Sequence, residues 1–335
     1  MFKVAVAGCG YWGPNLVRNL YSLPDCKVEM ICDIDVKRLN HMKGLYGNIK
    51  TTTNYDDLVD NKDIDVIFIV TPVRFHFEMA RKSLQANKHT FIEKPMARSG
   101  KECKELIALA EKNGLKLMIG HTFIYSSPVR KIKEIIRRGD LGDIMYIGSR
   151  RLNLGLYQED INVTWDLAPH EISIILYVLD DEPTHVNCQG KAHITKDIAD
   201  ITNMTIDFKN GGFATIQSSW LDPNKVRETK FVGTKKMLVY DDLEPNEKIK
   251  VYDKRVERPP HYDTFAEFQF SYHYGDMHAP FIQQAEPLKT ECQHFLDCIK
   301  SDLKPDSCGK EGLKVVEILE ASSKSLSNGG GKVAI

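Results

Sequence analysis

Three groups of residues in this chain have the types and spacing to do chemistry. The first is Gly8-Cys9-Gly10-Tyr11-Trp12-Gly13, a glycine string that directly follows a short apolar segment. The second is Lys94, held between Glu93 and Pro95 at the end of a later apolar run. The third is the pair Asp166 and His170, spaced i, i+4. A glycine-rich turn of this kind cradles phosphates. An ammonium can donate a hydrogen bond to a substrate hydroxyl, and a histidine with a pKa near neutrality can take that hydroxyl's proton. A carboxylate beside the histidine orients it and stabilises its protonated form. Nucleotide binding with acid–base chemistry on an alcohol reads as a dehydrogenase. Such a reaction needs the lysine and the Asp/His pair on opposite walls of one crevice, with donor and acceptor carbons in near-attack contact. Asp166 is also a good helix N-cap and His170 an ordinary first-turn residue, and the sequence leaves both readings open.

The glycines have separate jobs. Gly8 permits a tight strand-to-helix turn, Gly10 lets backbone approach a pyrophosphate, and Gly13 lets the helix pack closely on the strand. Tyr11 and Trp12 belong to the same turn. Asp33 stands at the end of the second strand, where a carboxylate accepts hydrogen bonds from ribose hydroxyls and repels a 2′-phosphate, so NAD is the expected cofactor. Lys37 and Arg38 follow closely and are expected on the outside of the next helix. Thr71-Pro72 and Lys94 also fall at strand ends, where open α/β sheets bind ligands. Thr71, Pro72, His76 and Glu93 are therefore grouped with the cofactor contacts.

The first third must position these groups. Phe2 to Ala7, Val28 to Cys32, Val66 to Val70, His89 to Ile92 and Leu115 to Ile119 read as strands alternating with helices. The run Val66-Ile67-Phe68-Ile69-Val70 has the continuous apolar character of a parallel strand buried on both faces. Pro14 suits the first turn of a helix, and Ser99 with Glu102 makes a capping box. The predicted architecture is α/β plus α+β. Residues 1–120 form a doubly wound, parallel Rossmann domain. Residues 121–335 form a substrate-binding and oligomerisation domain with an open, mostly antiparallel sheet. In the latter, Asn210-Gly211-Gly212 predicts a hairpin, a helix opens at Pro169, helices cover Glu291 to Ile299 and Gly312 to Leu326, and Gly329-Gly330-Gly331 marks a loose tail.

Composition narrows the class. The chain has 335 residues, of which 42% are apolar and 27% charged, with a net charge of −1. That balance suggests neither a nucleic-acid nor a membrane-surface partner. No apolar run is long enough to span a bilayer. The segment Met1 to Ala7 runs straight into the glycine string, so it reads as a first strand in a cytoplasmic protein rather than a cleaved signal. The eight cysteines lie scattered and read as reduced thiols, with Cys9 packed in the turn. His273, Asp276 and His278 lie close together but read as a loop without further ligands at suitable spacing, so no metal is expected.

Together the glycine string, Asp33, Glu93-Lys94-Pro95 and Asp166/His170 resemble the glucose–fructose oxidoreductase/inositol dehydrogenase/rhizopine-catabolism family over essentially the whole chain. That resemblance implies a lysine touching both nicotinamide and substrate, with Asp166 and His170 completing the site and the histidine as acid or base. It also implies a homodimer or homotetramer formed through the open sheet. Within the family, Gly10-Tyr11-Trp12-Gly13-Pro14-Asn15, Trp165-Asp166-Leu167-Ala168-Pro169-His170 and Glu286-Pro287-Leu288-Lys289 look like the nucleotide-sugar branch. This implies oxidation of C3 of UDP-N-acetylglucosamine, or of its uronic acid, with the ketone passing to a PLP-dependent aminotransferase. Tyr125, Arg151, Asn153 and Trp165 are then candidates for the substrate side, Arg151 through a phosphate or, equally, through a plain surface salt bridge. The competing readings are an NADP(H)-dependent keto-deoxysugar reductase, an inositol or free-sugar dehydrogenase, and a dinucleotide-sensing regulator without catalysis.

Overall fold

The computed structural model describes residues 1–257 and 271–335. The chain opens as a run of strands and helices in alternation. Strand β1 (Phe2–Ala7) leads into α1 (Gly13–Tyr21), then β2 (Cys26–Cys32), α2 (Val36–Leu45), β3 (Lys50–Thr52), α3 (Asp56–Val59) and β4 (Val66–Ile69). Helix α4 (His76–Gln85), β5 (His89–Glu93), α5 (Gly100–Lys112) and β6 (Leu117–Gly120) complete the run. Its six strands form one sheet in the order β3-β2-β1-β4-β5-β6, and every pairing is parallel. All four residues of β4 are buried, as a strand covered on both faces demands. Ser99 caps α5 by accepting from the Glu102 N–H, while the Glu102 carboxylate reaches back to the Arg98 N–H.

After β6 the pattern changes. Helix α6 (Ser127–Arg137) and β7 (Ile144–Leu152) precede α7 (Val163–Leu179). Strands β8 (Pro183–Lys191), β9 (Ile201–Phe208), β10 (Phe213–Ser219), β11 (Val226–Gly233), β12 (Met237–Asp241), β13 (Ile249–Glu257) and β14 (Ser271–His278) follow. The chain closes with α8 (Pro287–Lys300), α9 (Gly309–Ser327) and β15 (Val333–Ala334). The second sheet runs β14-β13-β12-β11-β7-β10-β9-β8-β15. It is antiparallel except where β7 and β10 pair in parallel. The predicted hairpin joins β9 to β10, with Gly211 at φ +89°.

The residues divide into two compact units, and the chain visits each of them twice. Met1–Ser126 and Ala285–Glu320 make the first; Ser127–Gln284 and Ala321–Ile335 make the second. The expected boundary at residue 120 therefore shifts to 126, and the expected single crossing becomes three. The reason is packing. Phe295 on α8 meets Phe68 of β4 at 5.8 Å and Phe91 of β5 at 6.1 Å. At the start of the same helix, the Glu286 carboxylate accepts from Arg18 at 2.5 Å and from Asn19 at 3.0 Å, both on α1.

Two smaller expectations also change. The tail is not loose: beyond the glycines, Val333 and Ala334 pair with Val186 and His185. His273, Asp276 and His278 lie on β14 rather than in a loop, and His273 faces Asp253 at 3.1 Å. Among the described residues no group of His, Cys, Asp and Glu side chains is placed to hold a metal ion. None of the described helices is long and apolar enough to cross a membrane. All eight cysteines are buried free thiols.

If α8 completes the first core, Phe295→Ala removes a ring from the Phe68–Phe91 cluster. Stability should fall by about 3–5 kcal/mol, read as a lower urea midpoint for the transition that reports the first unit.

Candidate active site

The turn after β1 is built for close backbone approach. Gly8 has φ +104°, and a Cβ added there would lie 2.5 Å from the Val70 carbonyl oxygen at the end of β4. A Cβ on Gly13 would collide with the Gly8 carbonyl itself, so Gly13 serves the turn rather than helix-on-strand packing. At Gly10 the only close neighbour is the Arg38 guanidinium, at 3.7 Å. Helix α1 then starts with Pro14 in its first turn and no side-chain cap, its Asn15 and Leu16 N–H groups both donating to the Trp12 carbonyl. Tyr11 is exposed and Trp12 partly so. This cradle fits a dinucleotide pyrophosphate.

Asp33 anchors the turn. Its Oδ2 accepts from the Cys9 N–H at 2.6 Å and its Oδ1 from the Asp35 N–H at 2.8 Å. Arg38 does not simply solvate the outside of α2. Its guanidinium lies 3.8 Å from Asp33 Oδ2 and beside Gly10, at the edge of the cradle.

The ends of β4, β5 and β6 carry the remaining groups of this unit. His76 is buried, with Nε2 2.7 Å from the Thr71 carbonyl and Nδ1 2.9 Å from the Pro95 carbonyl. It braces two strand ends through backbone rather than offering its ring outward. Burial pushes its pKa down, towards a neutral ring that donates to one carbonyl at a time. Glu93 is buried, and its Oε2 accepts from the Lys94 N–H at 3.2 Å. Burial pushes the Glu93 carboxyl up to about 7, against the opposing pull of the Lys94 charge. Lys94 itself is half-buried.

Next to it the structure places a residue that sequence reasoning missed. His121 follows β6 directly, is 2% exposed, and neither ring nitrogen has a hydrogen-bond partner among the described residues. Burial, then the Lys94 charge, pushes it down to about 3, so it is neutral. Its position one residue past a strand end was the available signal. Tyr125, expected on the substrate side, is a core residue instead. It is 1% exposed, and its hydroxyl lies 2.9 Å from Ser307 Oγ.

In the second unit α7 begins earlier than Pro169 suggested. Asn162 is the N-cap, its Oδ1 accepting from the Thr164 and Trp165 N–H groups at 3.1 Å each. Asp166 therefore lies inside the first turn and not at the cap. Its Oδ2 accepts from the Trp220 indole N–H at 3.0 Å. His170 stands one turn on, on the same helix face. Pro169, now interior, cannot donate to the Trp165 carbonyl. Trp165 donates its indole N–H to Ser323 Oγ at 2.8 Å. Asn153 is half-buried and its backbone N–H pairs with the Ser219 carbonyl. Arg151 does form a salt bridge, but a buried one: its Nε donates to Glu171 Oε1 at 2.6 Å, with both side chains under 10% exposed.

Models of two successive domains match the chain: "Oxidoreductase family, NAD-binding Rossmann fold" over residues 2–121, and "GFO/IDH/MocA C-terminal domain" over residues 129–239. The chain is a GFO/IDH/MocA oxidoreductase. Its cofactor is NAD, the ligand of the matched Rossmann domain. An uncharacterized oxidoreductase of Bacillus subtilis is 26% identical, over 97% of this GFO/IDH/MocA chain and 94% of its own. The myo-inositol 2-dehydrogenase of Thermotoga maritima is 23% identical, over 97% and 96%. Among solved structures, the UDP-N-acetylglucosamine 3-dehydrogenase of Acidithiobacillus ferrooxidans superposes with a TM-score of 0.80 at 22% identity, covering 97% of each chain.

Two substitutions test this geometry. Asp33→Ala should weaken NAD binding about 10- to 100-fold, the loss of charge-assisted hydrogen bonds. It should also narrow the preference over NADP, because Arg38 is released towards a 2′-phosphate; calorimetric titration with both dinucleotides reads this. His76→Ala leaves the Thr71 and Pro95 carbonyls without their shared donor and should cost about 1–3 kcal/mol of stability, measurable by thermal unfolding.

Proposed function

We propose that this oxidoreductase removes a hydride from a carbon bearing a secondary hydroxyl in a sugar, at C3 of UDP-N-acetylglucosamine or its uronic acid. The observation that carries the chemistry is Lys94, a half-buried ammonium at the end of β5 whose backbone is fixed by the buried Glu93 carboxyl. Lys94 donates a hydrogen bond to the reacting hydroxyl and holds its carbon in place. His170 takes the hydroxyl proton. Asp166, one turn earlier on α7 and held by the Trp220 indole, supports the charged ring. NAD, when bound, supplies the hydride-accepting ring.

The sugar nucleotide is supported by the motifs shared with that branch and by a relative of that printed activity with the same fold. The buried Arg151–Glu171 pair favours a structural role for Arg151. Asn153 and Trp165 remain the proposed substrate neighbours. A second reading, a polyol dehydrogenase, draws on the full-length likeness to a myo-inositol 2-dehydrogenase. In the first reading the 3-keto product passes to a PLP-dependent aminotransferase in the cytoplasm. The protein then works as a homodimer or homotetramer through the sheet face carrying the exposed, stacked Tyr146 and Phe213.

The test is mass spectrometry on UDP-sugars and inositols incubated with NAD and hydroxylamine. An oxime of UDP-N-acetylglucosamine is the expected result, and an oxime of inositol alone selects the second reading. Lys94→Ala and His170→Ala should each lower kcat about 10²- to 10⁴-fold while NAD binding, followed by nicotinamide fluorescence transfer, persists.

A further inference from the structure

We propose that Glu93 and Glu291 share a single proton behind Lys94, which makes Glu291, on a helix far downstream, a positioning residue for that lysine. The inference rests on the role given to Lys94 above.

The geometry comes from strand register. Glu93 ends β5 opposite Gly120, which ends β6. A Cβ on Gly120 would lie 3.0 Å from both Cδ and Oε2 of Glu93, so the missing side chain is what lets this carboxyl lie across the end of β6. Glu291, on α8, reaches the same strand end. Its Oε2 accepts from Thr122 Oγ1 at 2.8 Å, two residues past Gly120. Glu291 is 0% exposed and Glu93 9%.

Donors are scarce at this place. The Lys94 N–H and the Trp12 indole serve Glu93 and the Thr122 hydroxyl serves Glu291, while Oε1 of each carboxyl has no hydrogen-bond partner among the described residues. Two buried carboxylates so poorly supplied cannot both ionise. The surrounding groups do not change that. Lys94 is the cation on the β5 side, and the Trp12 indole polarises Glu93 from the glycine turn. His121, after β6, is neutral. On α8 the Cys292 thiol is fully buried and pushed well up by burial and by Glu291. Burial, then the Glu93 charge, drives Glu291 well above the usual carboxyl range.

Above neutral pH the pair therefore holds one proton, resident on Glu291, and one negative charge, on Glu93, which takes up its own proton as the pH falls through about 7. The charge stands behind Lys94, on the carboxyl that accepts from its backbone N–H. Loss of the Glu291 proton would bury two like charges together. The titration belongs to the pair.

Infrared difference spectroscopy of the full-length protein without substrate tests this independently of any sugar being oxidised. At mildly alkaline pH the wild type should show a protonated-carboxyl C=O band that Glu291→Gln loses and Glu93→Gln keeps. As the pH falls through neutrality a second band should grow in the wild type and in Glu291→Gln but not in Glu93→Gln. An alkaline-pH band as strong in Glu291→Gln as in the wild type overturns the proposal. Thr122→Val keeps both carboxyls and serves if Glu291→Gln does not fold. It removes the hydroxyl donor, so the band should persist and move to higher frequency; an unshifted or missing band overturns the proposal equally.

Discussion

The Val70 carbonyl oxygen stands 2.5 Å from the point where a side chain on residue 8 would begin. That contact fixes how far apart the ends of β1 and β4 can be, and much of the first unit follows from it. Only glycine meets the spacing and the positive φ together. Because the turn is so tight, the Cys9 N–H is presented to Asp33, and the Trp12 carbonyl takes the Asn15 and Leu16 N–H groups at the start of α1. Trp12 is brought against Glu93. The same few residues thus determine how the glycine turn is braced, which groups the Asp33 carboxylate holds, and which carboxyl stands behind Lys94. A methyl group at residue 8 would act on all three at once.

Much of this unit was legible in the sequence because its signals are local. A glycine string between a strand and a proline-started helix has few other uses, and a carboxylate or lysine at the end of an apolar run has few other places to point. Residues whose role depends on a distant partner were not legible. Tyr125 looked available until Ser307 was found beside its hydroxyl, and Arg151 until Glu171 was. Glu286 looked like a branch marker and proves to be the tie between α8 and α1. Glu291 gave no signal, because an acidic residue among apolar helix positions reads as a surface residue. Pro169 misled for a physical reason: proline favours the first helical position, but the Asn162 side chain had already capped the helix about two turns earlier.

Buried polar atoms go unmet in both units. In the second, Arg151 meets Glu171, Trp165 meets Ser323 and Trp220 meets Asp166, each a donor facing an acceptor, yet Glu171 Oε2 has no hydrogen-bond partner among the described residues. Around the ends of β5 and β6 the shortage is densest: two carboxyls and one imidazole are buried with too few donors.

The double visit of the chain to each unit matters during synthesis. On a nascent chain leaving the ribosome, the six parallel strands emerge first, but Phe68 and Phe91 lack their third ring until α8 follows. The whole antiparallel sheet down to β14 is translated in between. The first unit therefore waits, with an apolar face open to water, while another domain folds inside its own sequence. Vectorial folding of this kind favours escort by a holding chaperone. It also makes ribosomal pausing before Ala285 more hazardous to this protein than pausing within the first hundred or so residues.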